Sequence, residues 1–202
     1  GAAHPPERLS QLASRLRPVG GVLLTHGAGS DRTQSGLVAI EDALGALPVR
    51  RMDFPYRKVR TGPPDRAPKL IESIVDEAAN FGRQRRFRPH RLVLGGRSMG
   101  GRMCSMAVAQ GHEAAGLVMV SYPLHPPRKP EKLRVEHLPK IHVPCLFVSG
   151  TKDAFGTPEE LTEATTTIPG PVTHHWIEGG RHELAGADAE VAQVVAAWIR
   201  GL

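Results

Sequence analysis

The chain is predicted to fold as an α/β protein, a three-layer α/β/α sandwich with about six mostly parallel strands, and three observations predict it. Short apolar runs bounded by Gly or Pro recur along the 202 residues, helix-periodic segments lie between most of them, and no run is long enough for a membrane span. Strands alternating with helices require a parallel sheet covered on both faces. Hydrophobic residues make up 40% of the chain, enough for a core, yet aromatics are only 4%, so that core must be built from Val, Leu, Ile and Ala. A chain of this length is expected to make one domain, 1–202.

The elements follow in order. Residues 1–20 hold one short amphipathic piece, with Leu9, Leu12 and Leu16 on one side, expected as a surface extension. GVLLTH (21–26) reads as a buried strand ending in the loop GAGS, and GLVAIEDALGAL (36–47) as a helix. A weaker strand, 49–54, closes in DFPY; a Pro/Arg loop and a long helix over about 68–82 follow it. Then come a strand at 91–94 and a helix at 102–110 stopped by Gly111. Strands at 116–121 and 143–149, a helix at about 158–166, a strand at 172–177 and a closing helix at about 187–199 complete the series. The segment 123–142 is proline-rich, polar and too short for a domain of its own.

The net charge of +6 sits largely in RQRRFRPHR (83–91) and RKPEKLR (128–134). Only Phe87 interrupts the first cluster and no nucleic-acid-binding motif accompanies either, so both are expected as solvated surface and no specific nucleic-acid partner is expected. Cys104 and Cys145 lie in apolar segments without CxxC spacing, which predicts buried free thiols. The N-terminal GAAHPPERL lacks a secretory pattern, so a cytoplasmic location is expected, with no membrane partner.

In open parallel sheets, ligands bind at the carboxyl ends of the strands, so the informative residues are those just past each strand. In order these are His26-Gly27-Ala28-Gly29, Asp53-Phe54-Pro55-Tyr56, Ser98, Tyr122-Pro123-Leu124-His125, Asp153 and His182. A serine, an acid and a histidine occur in that set, in that order. GGRSMGG (95–101) has the glycines that a strand-to-helix turn needs to lift Ser98 clear of the sheet as a nucleophile. The N–H of Met99 then lies at a helix N-terminus, and that of Ala28 in HGAG can supply a second donor to an oxyanion. His182, in EGGRHEL after the last strand, can act as general base, and Asp153, ending CLFVSGTKD, can orient it. Glu178 and Asp53 are reserve acids; His174 and His175 lie inside a strand and are weaker candidates for the base.

The competing motifs are incomplete. A phosphate-binding loop needs Lys after its last glycine, where Gly101-Arg102 stands, and a dinucleotide turn from Gly27 needs Gly where Arg32 stands. No HExxH or close Cys/His cluster occurs, and His174 and His175, adjacent in a strand, would point to opposite faces. Neither a metal nor a cofactor is expected.

HGAGS (26–30), GGRSMGG (95–101), SGTKDAFG (149–156) and GGRHEL (179–184) together resemble the α/β-hydrolase superfamily, in the branch of dienelactone hydrolases and small carboxylesterases. GGRSMGGRM, SYPLHPPRKPEKLR and GTKDAFGTPEEL look more closely like the bacterial relatives of the testis-expressed hydrolase-like proteins. The resemblance implies a serine hydrolase that cleaves a carboxylic ester or thioester through an acyl-enzyme with a Ser98-His182-Asp153 triad. Two departures shape the expectation: residues 1–20 leave little room for the family's antiparallel N-terminal hairpin, and only 123–142 stands where a lid would be inserted. A minimal fold without a cap domain, and an open site suited to a small-molecule acyl substrate, follow. His26, Phe54, Tyr56, Tyr122, Leu124, His125 and Phe155 are expected to line the pocket. Arg97, Arg102 and Arg181 beside the motifs could favour an anionic substrate, although Arg97 could equally be an exposed side chain of the turn. The alternative from another class is a non-catalytic scaffold that keeps the fold to bind protein or nucleic acid, and a lesser one is a lyase or perhydrolase using the same three residues.

Overall fold

The structure is a computed structural model, and it describes residues 19–59 and 62–202. The N-terminal extension expected over 1–20 therefore falls almost wholly outside the described residues. Six strands form one sheet: β1 (Gly21–Thr25), β2 (Val49–Met52), β3 (Leu92–Arg97), β4 (Gly116–Val120), β5 (Cys145–Gly150) and β6 (Val172–Ile177). Every pairing is parallel, in the order β2-β1-β3-β4-β5-β6. The helices are α1 (Ser35–Leu44), α2 (Pro55–Lys58), α3 (Ala67–Arg85), α4 (Met99–Ala109), α5 (Pro158–Thr165) and α6 (Asp188–Arg200).

The strand order explains the layers. From β1 the chain steps outward to β2, then returns across β1 and advances through β3 to β6. Right-handed crossovers running in opposite directions leave their helices on opposite faces, so α1 lies on one face and α3, α4 and α5 on the other; α6 folds back beside α1. The pleat sorts the side chains accordingly. Leu23, Leu94, Leu117, Met119 and Phe147 pack with the α3–α5 layer, while Val22, Leu24, Val93, Val118, Val120 and Val148 pack with Leu37, Ile40, Val191 and Val195 of α1 and α6. The core is aliphatic, as the composition requires.

Element limits differ from expectation where the chain enters the carboxyl edge of the sheet. β2 stops at Met52 because Phe54-Pro55 opens the short α2, whose first turn takes proline without losing a needed N–H. β3 runs on to Arg97, and α4 begins at once with Met99, since Gly100 and Gly101 are helical. α5 is capped by Thr157: its Oγ1 accepts from the Glu160 N–H at 3.2 Å, and its own N–H donates to Glu160 Oε2 at 2.8 Å.

The segment 123–142 is no lid. The Tyr122 hydroxyl donates to the Arg134 carbonyl at 2.8 Å, the Arg134 N–H donates to the Leu124 carbonyl at 2.8 Å, and Leu138 and Ile141 are wholly buried. His137 lies 2.8 Å from Ser105 of α4, which pins the segment to the outside of that helix. The segment forms an outer wall packed against α4.

The reversal of direction between β1 and β3 leaves a crevice at the carboxyl end of the sheet, with loops from both strands on either side. The two basic clusters are divided by the same geometry. Residues 83–91 lead into β3 at its amino end and 128–134 follow β4 at its carboxyl end.

Candidate active site

Ser98 stands between β3 and α4 with φ 49° and ψ −117°, a region that non-glycine residues avoid. The turn is held by close packing on both sides. A Cβ on Gly96 would lie 2.0 Å from Thr25 Oγ1, and one on Gly100 would lie 2.4 Å from the same atom and 2.6 Å from the His26 carbonyl oxygen. Only glycine permits α4 to seat this close to β1. The Ser98 N–H donates to the Val120 carbonyl at 2.8 Å, fixing the backbone while the side chain points away from the sheet.

The Ser98 hydroxyl donates to His182 Nε2 at 2.8 Å. On the other side of the ring, His182 Nδ1–H donates to Asp153, 2.9 Å from Oδ2 and 3.0 Å from Oδ1. Asp153 Oδ1 also accepts from the Phe155 N–H at 2.8 Å. The Asp153 side chain is 2% exposed and that of His182 15%, so this chain of bonds is screened from water yet reachable at the serine end. Phe155 covers one face of the imidazole, ring centroids 4.0 Å apart and 26° from parallel. The reserve acids are elsewhere: Asp53 pairs with Arg32, and Glu178 accepts from Thr151. His174 and His175 do point to opposite faces, one toward Thr165 of α5 and the other toward Glu190 of α6.

The loop after β1 passes beside the serine: a Cβ on Gly27 would lie 3.7 Å from Ser98 Cβ. Its carbonyls are tied down in succession. His26 Nδ1–H donates to the Gly27 carbonyl at 2.8 Å, the Tyr56 hydroxyl to that of Ala28 at 2.9 Å, and Arg57 to that of Gly29 at 3.3 Å. Because a peptide unit is planar and trans, anchoring the Gly27 carbonyl also aims the Ala28 N–H, which belongs to the same unit, in the opposite direction. Among the described residues neither the Ala28 N–H nor the Met99 N–H donates a hydrogen bond to another group. His26 Nε2 accepts from the Phe54 N–H at 3.1 Å, so the ring serves as donor and acceptor and must be neutral. Burial lowers the His26 pKa and keeps it so.

Of the seven residues expected to line a pocket, only Phe155 flanks the reactive groups. His26 and Tyr56 are buried beneath the Gly27–Ser30 loop as its supports, and Phe54 packs edge-to-face on His26 with centroids 5.0 Å apart. Tyr122 packs on Phe147, Leu124 is wholly buried below Gly156, and His125 bonds Glu160 and the Pro126 carbonyl. The correction has a physical reason. Large apolar side chains just past a strand end turn inward to close the core under the loops, and the rim is left to shorter or polar groups.

Arg97, read from the sequence as an anion-binding group or an exposed side chain of the turn, makes a contact that neither reading anticipated. It is half-buried, and its Nη2 donates to the His182 carbonyl at 2.8 Å. Its place in the alternation of β3, on the side of Val93, was the available signal.

Placed so, hydroxyl, imidazole and carboxylate are joined in series, an arrangement that can pass the hydroxyl proton to Nε2 while Nδ1 stays held. Among the described residues no group of three or more His, Cys, Asp or Glu converges as a metal site, and no helix is long and apolar enough to cross a membrane.

Comparison with known proteins agrees with this architecture. A family model described as an alpha/beta hydrolase domain matches residues 19–198. Among solved structures, an alpha-beta serine hydrolase homologue from Coxiella burnetii is similar at 18% identity and TM-score 0.71, over 90% of this chain and 88% of that one. A dienelactone hydrolase from Anabaena variabilis is similar at 18% identity and TM-score 0.70, over 91% and 87%. The esterase domain of a Rhodothermus marinus protein gives 15% identity and TM-score 0.67, over 92% and 88%. At these identities the likeness is one of fold.

Proposed function

The chain belongs to the alpha/beta hydrolase family, and from that premise we propose that it is a serine hydrolase cleaving a carboxylic ester or thioester through an acyl-enzyme. The observation that carries the reading is the bonded sequence from Ser98 Oγ through His182 to Asp153. Ser98 Oγ attacks the acyl carbon as its proton passes to His182 Nε2, and Asp153 holds the imidazolium through Nδ1–H. The oxyanion forms against the N–H groups of Ala28 and Met99. Collapse of the tetrahedral species expels the alcohol or thiol, which takes the proton from His182. Water then attacks the acyl-enzyme with His182 as base, releasing the acid and restoring Ser98.

The absence of a lid over 123–142 supports short or exposed acyl groups on a small-molecule substrate over long chains, and one continuous sheet accords with a single domain. The motif residues support the finer likeness to the bacterial testis-expressed-like branch, and two buried free thiols accord with a cytoplasmic setting.

Incubation with a fluorophosphonate probe, followed by intact-mass and peptide analysis beside Ser98→Ala, tests the reading. A single adduct on Ser98, absent in the variant, is expected. No adduct on the folded protein would overturn it and turn attention to binding partners.

A further inference from the structure

We propose that Arg97 is a positioning residue, a strut between the turn that carries Ser98 and the loop that carries His182. The inference rests on the hydrolase reading for its catalytic consequence, though not for its geometry.

His182 sits in the connection between β6 and α6, a stretch without regular structure that contains Gly179, Gly180 and Gly186. Its other backbone bonds are local or at its root. The Gly180 N–H donates to Ile177, the Lys152 N–H reaches the Gly180 carbonyl, and the Leu184 N–H donates to Arg181. Asp153 holds the imidazole at Nδ1 and Phe155 covers one of its faces, but these contacts act on the ring and not on the backbone that carries it. A second anchor is needed to set the distance from Nε2 to the hydroxyl, and the Arg97 bond to the His182 carbonyl supplies it at the backbone of the same residue.

The side chain is built for the task. Arg97 ends β3 directly before Ser98, so any constraint on it acts on the strained turn itself. It lines a narrow cleft together with Leu37, Ile40, Leu184 and Val191, apolar neighbours suited to its aliphatic stem. Burial disfavours its charge, while the carboxylates of Asp188, Glu183 and Asp153 favour it. A planar guanidinium that stays ionised when partly buried suits this place better than an ammonium. The guanidinium is therefore engaged with the histidine loop, a use other than the anion-binding role its position beside the motif suggested.

The test compares Arg97→Met, which keeps the stem and removes the donor, with Arg97→Lys, which keeps one. With a short p-nitrophenyl ester, and rates referred to folded protein, Arg97→Met is expected to lower kcat by ~10- to 100-fold with KM within about twofold, and Arg97→Lys to recover part of the loss. Amide hydrogen exchange across 178–187 is expected to quicken in Arg97→Met and return toward the parent rate in Arg97→Lys. Unchanged exchange in Arg97→Met overturns the strut, whatever the activity. A loss confined to KM, or a lysine variant no better than methionine in kcat and exchange, overturns it as well. A parent protein that takes no fluorophosphonate sinks the hydrolase reading instead, and the exchange data still decide the strut.

Discussion

A methyl group on Gly150 would stand 2.1 Å from the carbonyl oxygen of Gly180, so the end of β5 and the histidine loop meet backbone to backbone. The Lys152 N–H closes the same contact, donating to Gly180 at 2.8 Å. Asp153 lies three residues beyond one glycine and His182 two beyond the other. Their meeting depends on this approach.

Gly150→Ala is accordingly expected to cost about 1–3 kcal/mol of stability through overpacking and to separate the carboxylate from the imidazole. Thermal melting and the rate of fluorophosphonate labelling measure the two effects. A variant that labels at the parent rate would show that the loop can retreat without disturbing the pair.

Asp153→Asn should leave the fold intact and lower kcat by a factor on the order of 10⁴, because an amide no longer fixes the tautomer of His182. Glu178→Gln serves as the control, since Glu178 is exposed and bonds only Thr151 among the described residues. Its kcat is expected to stay within about twofold, consistent with a surface carboxylate. Equal losses in the two variants would contradict the assignment of the acid.

His26→Ala removes the anchor on the Gly27 carbonyl and leaves the Phe54 N–H without its acceptor. The expected loss in kcat is ~10²- to 10³-fold, the scale of one oxyanion donor, with little change in KM. Stability should fall by about 1–3 kcal/mol for the orphaned N–H. A boronic acid that mimics the tetrahedral intermediate should bind the variant more weakly in proportion to kcat. Proportionate loss of a ground-state product analogue instead would point to a collapsed site.

The outer wall titrates. Burial, aided by Arg102, lowers the His137 pKa from 6.5 to about 4. Between these values the unfolded chain binds more protons than the folded one, so stability rises with pH across the window and is lost as pH falls from 6.5 toward 4. His26, His112 and His174, also lowered by burial, act in the same direction. Denaturant melts at pH 7 and pH 4.5 are expected to differ less in His137→Gln than in the parent. An unchanged difference would remove His137 from the account.

Much of this was legible in the chain. Apolar runs between Gly and Pro mark β1, β3, β4 and β5 because a strand buried on both faces needs an apolar stretch of that length, while the partly buried edge strands β2 (VRRM) and β6 (VTHHWI) carry a weaker, mixed pattern. The residues just past those strands then name Ser98, Asp153 and His182, since parallel strands deliver their carboxyl ends to one edge. The pocket expectation failed for Tyr122, Leu124 and His125 because sequence position reports that a residue follows a strand, and says nothing of whether its side chain turns outward to the crevice or inward to the core. The contact of Arg97 with His182 was hidden for the same reason.

By itself, then, the sequence determined the parallel sheet, the strained turn at Ser98 and the chemical types available at the carboxyl edge, all of which follow from local periodicity and from the steric freedom of glycine. Tertiary structure alone decided that Thr25 and the His26 carbonyl press on Gly96 and Gly100, that Gly150 meets Gly180, and that Arg97 reaches His182 across 85 positions of chain. Such contacts join residues distant along the chain, and they exist only once the packing of the layers has set the distances between them.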